Sequence, residues 1–259
     1  MPHLIRRPTG QRTAPAADRL GLGVPGYAHP LVAPVEWAEL TRPGTPLHWA
    51  VLNVSGGTPG GPGSRPDPHC LEAVGRLRNA GIRVLGHLDT AYGTRAFGER
   101  ISEAHRYLDW YRVDGFLLDR CPAERDALSD MRRTADTLRA LRDDAHLVFG
   151  HGTHPYPGYA EAADQLITYA GPWRDYRWSQ VAEWTADYPA ERFCHLVHGV
   201  PRTHLEEALR IARWQGAGTI FFTDRADRAK ERKGPVDPFE TLPGYWDEIV
   251  SRIGPGISE

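Results

Sequence analysis

Three aspartates each close an apolar run, where a carboxylate can move protons or hold a ligand. Asp119 ends Val113-Asp114-Gly115-Phe116-Leu117-Leu118-Asp119, Asp89 ends Val84-Leu85-Gly86-His87-Leu88-Asp89, and Asp224 ends Phe221-Phe222-Thr223-Asp224. An acidic group at the C-terminal end of a buried strand suits acid/base work better than a structural role. Asp119 is therefore the leading catalytic candidate, and Asp89 is the candidate second carboxylate. Adjacent parallel strands lie about 4.8 Å apart, which would bring these two groups into the roughly 5 to 9 Å range of two-carboxylate glycosidases. Asp224 is read either as a ligand contact or as the cap of the following helix. Arg120, directly after Asp119, would meet an anionic group of the substrate or lower the pKa of one carboxylate. Tyr27, Tyr92, Tyr156 and Trp173 fall in rim loops and offer flat faces to a sugar ring, with simple packing as the alternative for each.

Other constellations do not carry chemistry. Gly21-Leu22-Gly23-Val24-Pro25-Gly26 has the spacing of a dinucleotide fingerprint, but that motif must follow a strand and open a helix, and here no strand precedes it. Residues 56–64 are glycine-rich, yet lack the Gly-Lys-Ser/Thr ending that holds phosphate and magnesium. His195 and His198 lie three apart on a predicted strand, so a period of two sends them to opposite faces. His151 and His154 share a loop but have no third ligand in register, and His151 is read as a polar residue of a substrate loop. No metal or cofactor is expected.

The elements that must position these residues alternate regularly. From Leu20 onward short apolar runs alternate with amphipathic stretches about eight times, the pattern of a parallel sheet covered by helices. The predicted strands are 22–27, 48–54, 82–88, 115–118, 146–150, 165–169, 193–198 and 219–222. Leu128, Met131, Ala135 and Leu138 share one helical face, as do Leu205, Ala208, Leu209 and Ala212. Asn79-Ala80-Gly81 supplies a helix stop, Pro201 a helix start, and 242–253 reads as the closing helix. At 259 residues the chain fits one (β/α)8 TIM-type barrel of about 250 residues. The expected organisation is a disordered N-terminal arm over 1–19 and a single barrel domain over 20–259. Long loops follow the strands and short ones precede them, so function is expected at one end, with Ser55 to Pro68 an ordered functional loop.

Composition narrows the partners. A net charge of -2, from 31 basic and 33 acidic residues spread along the chain, leaves no footprint for nucleic acid or an anionic membrane surface. The expected partner is a small-molecule or saccharide substrate, and oligomeric state is not legible. Three cysteines, Cys70, Cys121 and Cys194, have no zinc-knuckle spacing and cannot all pair, so free thiols are expected. With no apolar run at the N-terminus to serve as a signal core, the expected location is cytoplasmic.

Together these motifs resemble the spherulin-four-like (spherulation-specific) family of glycoside-hydrolase barrels. The resemblance starts at Val24-Pro25-Gly26-Tyr27-Ala28-His29-Pro30, similar to a family Pro-x-Tyr-x-Tyr-Pro strand, and continues in Asn53-Val54-Ser55-Gly56 and the Gly-Pro-Gly at 61–63. Gly86-His87-Leu88-Asp89-Thr90-Ala91-Tyr92-Gly93-Thr94-Arg95 is similar to the family's Gly-Tyr-Val-x-Thr-x-Tyr-Gly-x-Arg, which adds Arg95 to the candidate substrate contacts. Trp110 to Gly115, Thr223-Asp224 and Leu242-Pro243-Gly244-Tyr245-Trp246 complete it. Studied relatives cleave galactosamine-containing polysaccharides, so the resemblance implies a glycosidase-type barrel with Asp119 as a retained carboxylate. Two departures fall on the chemistry: Arg120 stands where the family has a glutamate, and Tyr169-Ala170-Gly171 replaces a family Phe-Glu-Gly.

The reading is an enzyme of glycosidase type, or a biosynthetic enzyme derived from one, acting on a glycosidic or similar bond of an amino sugar or small polar substrate. The alternative is a catalytically inactive saccharide-binding barrel. Because Ala170 cannot transfer a proton, hydrolysis of galactosamine oligomers is expected to be weak or absent unless another residue has taken over that role.

Overall fold

The computed structural model describes residues 20–26, 28–54, 61–226 and 237–253. Eight strands, β1 (Gly21–Val24), β2 (Leu47–Leu52), β3 (Arg83–Asp89), β4 (Gly115–Asp119), β5 (His146–Gly150), β6 (Gln165–Pro172), β7 (Phe193–His198) and β8 (Thr219–Phe222), pair in parallel in chain order. Pairing of Gly21 with Thr219 and Leu22 with Ile220 closes the ring between β1 and β8. Outside it lie α1 (Pro34–Leu40), α2 (Pro68–Asn79), α3 (Phe97–Arg106), α4 (Leu128–Leu141), α5 (Trp173–Tyr176), α6 (Leu205–Trp214) and α7 (Trp246–Ile253). The chain folds as the expected (β/α)8 barrel.

Local chemistry sets the boundaries. Asp67 caps α2 by accepting from the amides of His69 and Cys70, Pro68 takes the first helical position, and Gly81, at φ +76°, ends the turn before β3. The apolar faces read from α4 and α6 are the buried ones. The chain leaves β1 at Val24 rather than at residue 27, since Pro25 has no N–H for the ladder. The closing helix begins at Trp246, four residues later than its apolar pattern suggests, because Gly244 donates its amide to Asp224 Oδ1 (3.0 Å) instead of to a helical carbonyl. After β5 a 3-10 turn, Pro157–Glu161, replaces a full helix. The glycines at 21 and 23 serve close packing: a Cβ at either would fall on the ring of His48 or of Trp49.

A polar network spans the ring near the strand starts. The Trp49 indole N–H donates to Gln165 Oε1 (2.7 Å), and Gln165 Nε2 donates to the Thr219 hydroxyl (2.8 Å), all three side chains being buried. Satisfying these groups lets polar residues sit in a closed ring and ties β2, β6 and β8 together. At the opposite end the loops are laced by backbone groups. The amides of Thr90 and Tyr92 donate to the carbonyls of Asp119 (3.0 Å) and Arg120 (2.7 Å), and the Thr90 hydroxyl adds a bond to Arg120 O (2.6 Å). Tyr107 and Tyr111, in a π-turn that extends α3, accept amide hydrogens from Val54 and Asp67 and so anchor the loops that follow β2. These ties hold the C-terminal ends of β2, β3 and β4 in fixed relation. Cys70, Cys121 and Cys194 are buried and unpaired. No helix among the described residues is long and apolar enough to cross a membrane.

Candidate active site

Asp89 and Asp119 are register partners at the C-terminal ends of β3 and β4. Asp119 is open to the mouth, with 44% of its side chain exposed. Its Oδ1 accepts the Arg120 amide (2.8 Å) and its Oδ2 faces His87 Nε2 at 3.3 Å. The Asp119 carboxylate also leans over Gly150 of β5, where a Cβ would stand only 3.2 Å from Oδ1. Glycine there keeps room beside the carboxylate.

Asp89 is differently placed. It is 18% exposed, and Arg120 grips it with two prongs, Nε to Oδ1 at 2.9 Å and Nη2 to Oδ2. The Ala91 amide adds a bond to Oδ1 (2.8 Å). Burial pushes this carboxyl up, but the Arg120 and Ala91 hydrogen bonds outweigh burial and hold it below the ordinary aspartate range. Asp89 is thus a fixed anion, and Arg120 is neutralised by it rather than left free for a ligand. Arg120 reaches back because its backbone is left-handed, φ +50°. Its guanidinium also lies 5.9 Å from the ring of Tyr92, which is 64% exposed and itself at φ 55°.

The remaining sequence candidates separate into two groups. Asp224 is exposed and engaged with the amide of Gly244, and Arg95 donates to the carbonyl of Asp89 and is paired with buried Glu103, so both brace mouth loops. Trp173 is only 6% exposed and packs on Tyr176 and His204, which leaves no open face for a sugar. Tyr156 turns to the outer flank, where it lines a groove of about 1040 Å³ with α4 and carries Arg125 on its ring. His151 is buried, with Nδ1 2.9 Å from the carbonyl of Pro122, and burial lowers its pKa to about 4, so it is neutral. His154 sets its ring edge-on to Trp184, 6.5 Å between centroids. Ala170, on β6, is exposed at its strand end. Tyr27, the 1–19 arm and residues 55–60 lie outside the described residues.

Two site residues are not singled out by the sequence. His87 is legible in retrospect, since a period of two puts it on the face of β3 that carries Asp89. Asp237 has no such signal. It belongs to a strap after β8 whose Phe239 ring packs 5.9 Å from His198 and 6.1 Å from Phe221, and whose Glu240 carbonyl accepts the Ala28 amide. Although its surface is open to solvent, burial pushes its carboxyl up against the lowering effect of the Phe239 amide bond, and the charge of Asp119 adds to the rise.

One cluster has the donor types of a metal centre: His29 Nε2, an Asp67 oxygen and Cys70 Sγ lie within 4.8 Å of one another. Its histidine and aspartate already face each other as a hydrogen-bonded pair. His29 Nδ1 accepts the Leu31 amide, so Nε2 carries the ring hydrogen and faces Asp67 Oδ2 at 3.3 Å. Burial, then the charge of Asp67, raises the Cys70 thiol to about 12.

The sequence profile of spherulation-specific family 4 matches residues 22–253. Spherulin-4 of Physarum polycephalum is 24% identical over 158 residues, 61% of this chain and 46% of that relative, so less than half of its length is spanned. Among solved structures, Aspergillus clavatus Sph3 in complex with GalNAc superposes with a TM-score of 0.75 at 21% identity, covering 91% of this chain and 98% of the other. A noncanonic maltogenic alpha-amylase, AmyB of Thermotoga neapolitana, superposes with a TM-score of 0.50 at 12% identity, over 88% and 72% of the two chains. At these identities the likeness is one of fold.

Proposed function

The chain belongs to spherulation-specific family 4, and from that membership we propose that its barrel mouth binds an amino sugar and cleaves a glycosidic bond, with Asp119 as acid/base carboxylate. The observation that carries this reading is the setting of Asp119. It is a half-exposed carboxylate at a strand end, with one oxygen fixed by an amide and the other beside His87. Such a group is rigid enough to act and open enough to reach substrate. The GalNAc held by a relative of the same fold supports an amino sugar as the ligand class. Three unpaired buried thiols suit a reducing compartment, in keeping with a cytoplasmic enzyme.

The test is turnover of galactosamine-containing oligosaccharides by the wild-type chain and by Asp119→Asn, with binding of GalNAc followed separately by ligand-observed NMR. Turnover abolished by Asp119→Asn supports the reading. Binding without turnover supports the alternative, a catalytically inactive saccharide-binding barrel, which the exposed Ala170 and the neutralised Asp89–Arg120 pair favour.

A further inference from the structure

We infer that His87 is the proton-holding partner of Asp119, and that this imidazole–carboxylate pair, rather than a second carboxyl group, carries out the proton transfers at the mouth. This rests on the reading of the mouth as a glycosidase site.

The fold supplies the first argument. A Cβ at Gly86 would fall 2.8 Å from the ring of Tyr107, in the turn that extends α3, so residues 86 and 88 of β3 face the outer helices while 85, 87 and 89 face the interior of the ring. Asp119 is the register partner of Asp89, which sets it beside and above His87, with His87 Nε2 3.3 Å from Asp119 Oδ2. The register partner of His87 is Leu117, which is buried, so the pair stands on an apolar floor. The side chain of His87 is 17% exposed against 44% for Asp119. The carboxylate is therefore the outer member, open to a ligand, and the imidazole is the inner member that supports it.

The second argument is which atoms are free to share a proton. Asp119 Oδ1 is engaged by the Arg120 amide at 2.8 Å, which leaves Oδ2, the oxygen facing His87, as the better placed acceptor. Imidazole is a stronger base than a carboxylate, so a proton shared between Oδ2 and Nε2 rests on the ring. Histidine is also the side-chain type that both takes up and releases a proton near neutral pH. The charged groups that reach His87 are Asp119 of β4, Asp89 of its own strand, which Arg120 clamps, and Asp237 of the strap after β8, itself reached by His198 of β7.

The third argument is elimination. Hydrolysis needs a proton for the leaving oxygen and a group that takes a proton from water. Ala170 has no carboxyl group, and Asp89 is held as an anion by Arg120. The His87–Asp119 pair serves in both directions. In its loaded form it is an imidazolium beside a carboxylate. As the anomeric C–O bond breaks, its electron pair passes to the leaving oxygen, and the proton of Nε2 reaches that oxygen through Asp119 Oδ2, which leaves a neutral imidazole. Water then bonds to the anomeric carbon, and the proton it sheds returns through Oδ2 to Nε2, so each turnover restores the pair. Asp119 is the member that touches substrate, and His87 acts through it.

The test compares wild type and His87→Gln, whose amide can still donate to Asp119 Oδ2 but cannot titrate, on a galactosamine oligomer and on an aryl galactosaminide whose leaving group needs no proton. His87→Gln is expected to lose at least about 10² in kcat on the oligomer with KM within about threefold, to stay within about tenfold on the aryl substrate, and to lose the alkaline limb of the pH profile of kcat. In parallel, the pH titration of the His87 ring, followed by NMR, should be displaced in Asp119→Asn. Equal losses on the two substrates, or a ring titration indifferent to Asp119→Asn, would overturn the inference. No wild-type turnover on either substrate would sink the glycosidase reading and the proton role together, whereas oligomer turnover that His87→Gln leaves within about threefold, with its alkaline limb intact, sinks the proton role alone.

Discussion

Arg120 and Asp89 form a two-pronged ion pair across the ends of β4 and β3, with Arg120 Nε 2.9 Å from Asp89 Oδ1 and Nη2 on Oδ2. Arg120 thus serves as the counter-ion of a neighbouring carboxylate. The left-handed backbone at Arg120 makes this possible, at a cost of about 1 to 3 kcal/mol for a non-glycine residue.

Breaking that pair should weaken the fold in a pH-dependent way. Arg120 is half exposed, so solvent screening limits the expected loss in Arg120→Met to about 1 kcal/mol at neutral pH by urea unfolding. Because the folded Asp89 carboxyl lies below its ordinary value, its stabilisation is present above the unfolded carboxylate range, near 3.9, and disappears as pH falls through the folded value. The difference between wild type and Arg120→Met should shrink in the same acid window, and a constant difference across it would contradict this account.

Asp119→Asn keeps an oxygen for the Arg120 amide but cannot exchange a proton, so the fold should survive while catalysis does not. The expected loss is about 10² to 10⁴ in kcat with saccharide affinity changed less than about tenfold. A loss confined to affinity would instead make Asp119 a ligand anchor.

Ala170→Glu places a carboxyl group at an exposed position on β6 where no side chain has to be displaced from the core. Thermal stability should change by less than about 0.5 kcal/mol, as for exposed surface positions. Turnover of galactosamine oligomers should rise at least about tenfold if the mouth holds the sugar against the end of β6. An unchanged rate would mean that the ligand sits elsewhere.

Gln165→Leu removes the acceptor of the Trp49 indole N–H and the donor to Thr219 inside the ring. The Thr219 hydroxyl keeps its contact with His48 Nδ1 (2.9 Å), so the loss is set by the buried Trp49 indole N–H left unpaired, about 1 to 3 kcal/mol, read as a lower denaturation midpoint. Stability equal to wild type would show that the polar layer can repack.

Thiol titration of the unfolded protein should find three free groups, and the native protein should react slowly because Cys70, Cys121 and Cys194 are all buried. Fewer than three under denaturing conditions would show that a disulfide forms.

What the amino-acid sequence determined by itself is what local patterns encode. Alternation of apolar runs with amphipathic stretches specified eight strands, the buried faces of α4 and α6 followed from helical spacing, and a strand-end aspartate announced the mouth. Those signals are legible because backbone periodicity and hydrophobic burial act over a few residues. Tertiary structure decided which side chains share the mouth. Trp173 is buried because α5 turns its ring onto Tyr176 and His204, a packing that composition does not encode. Arg120 escapes the in-and-out alternation of a strand because its backbone turns left-handed at the strand end, which sends its side chain back to Asp89. Angular position in a closed barrel depends on the pairing of all eight strands at once, which is why β3 and β4 bring Asp89 and Asp119 side by side as register partners.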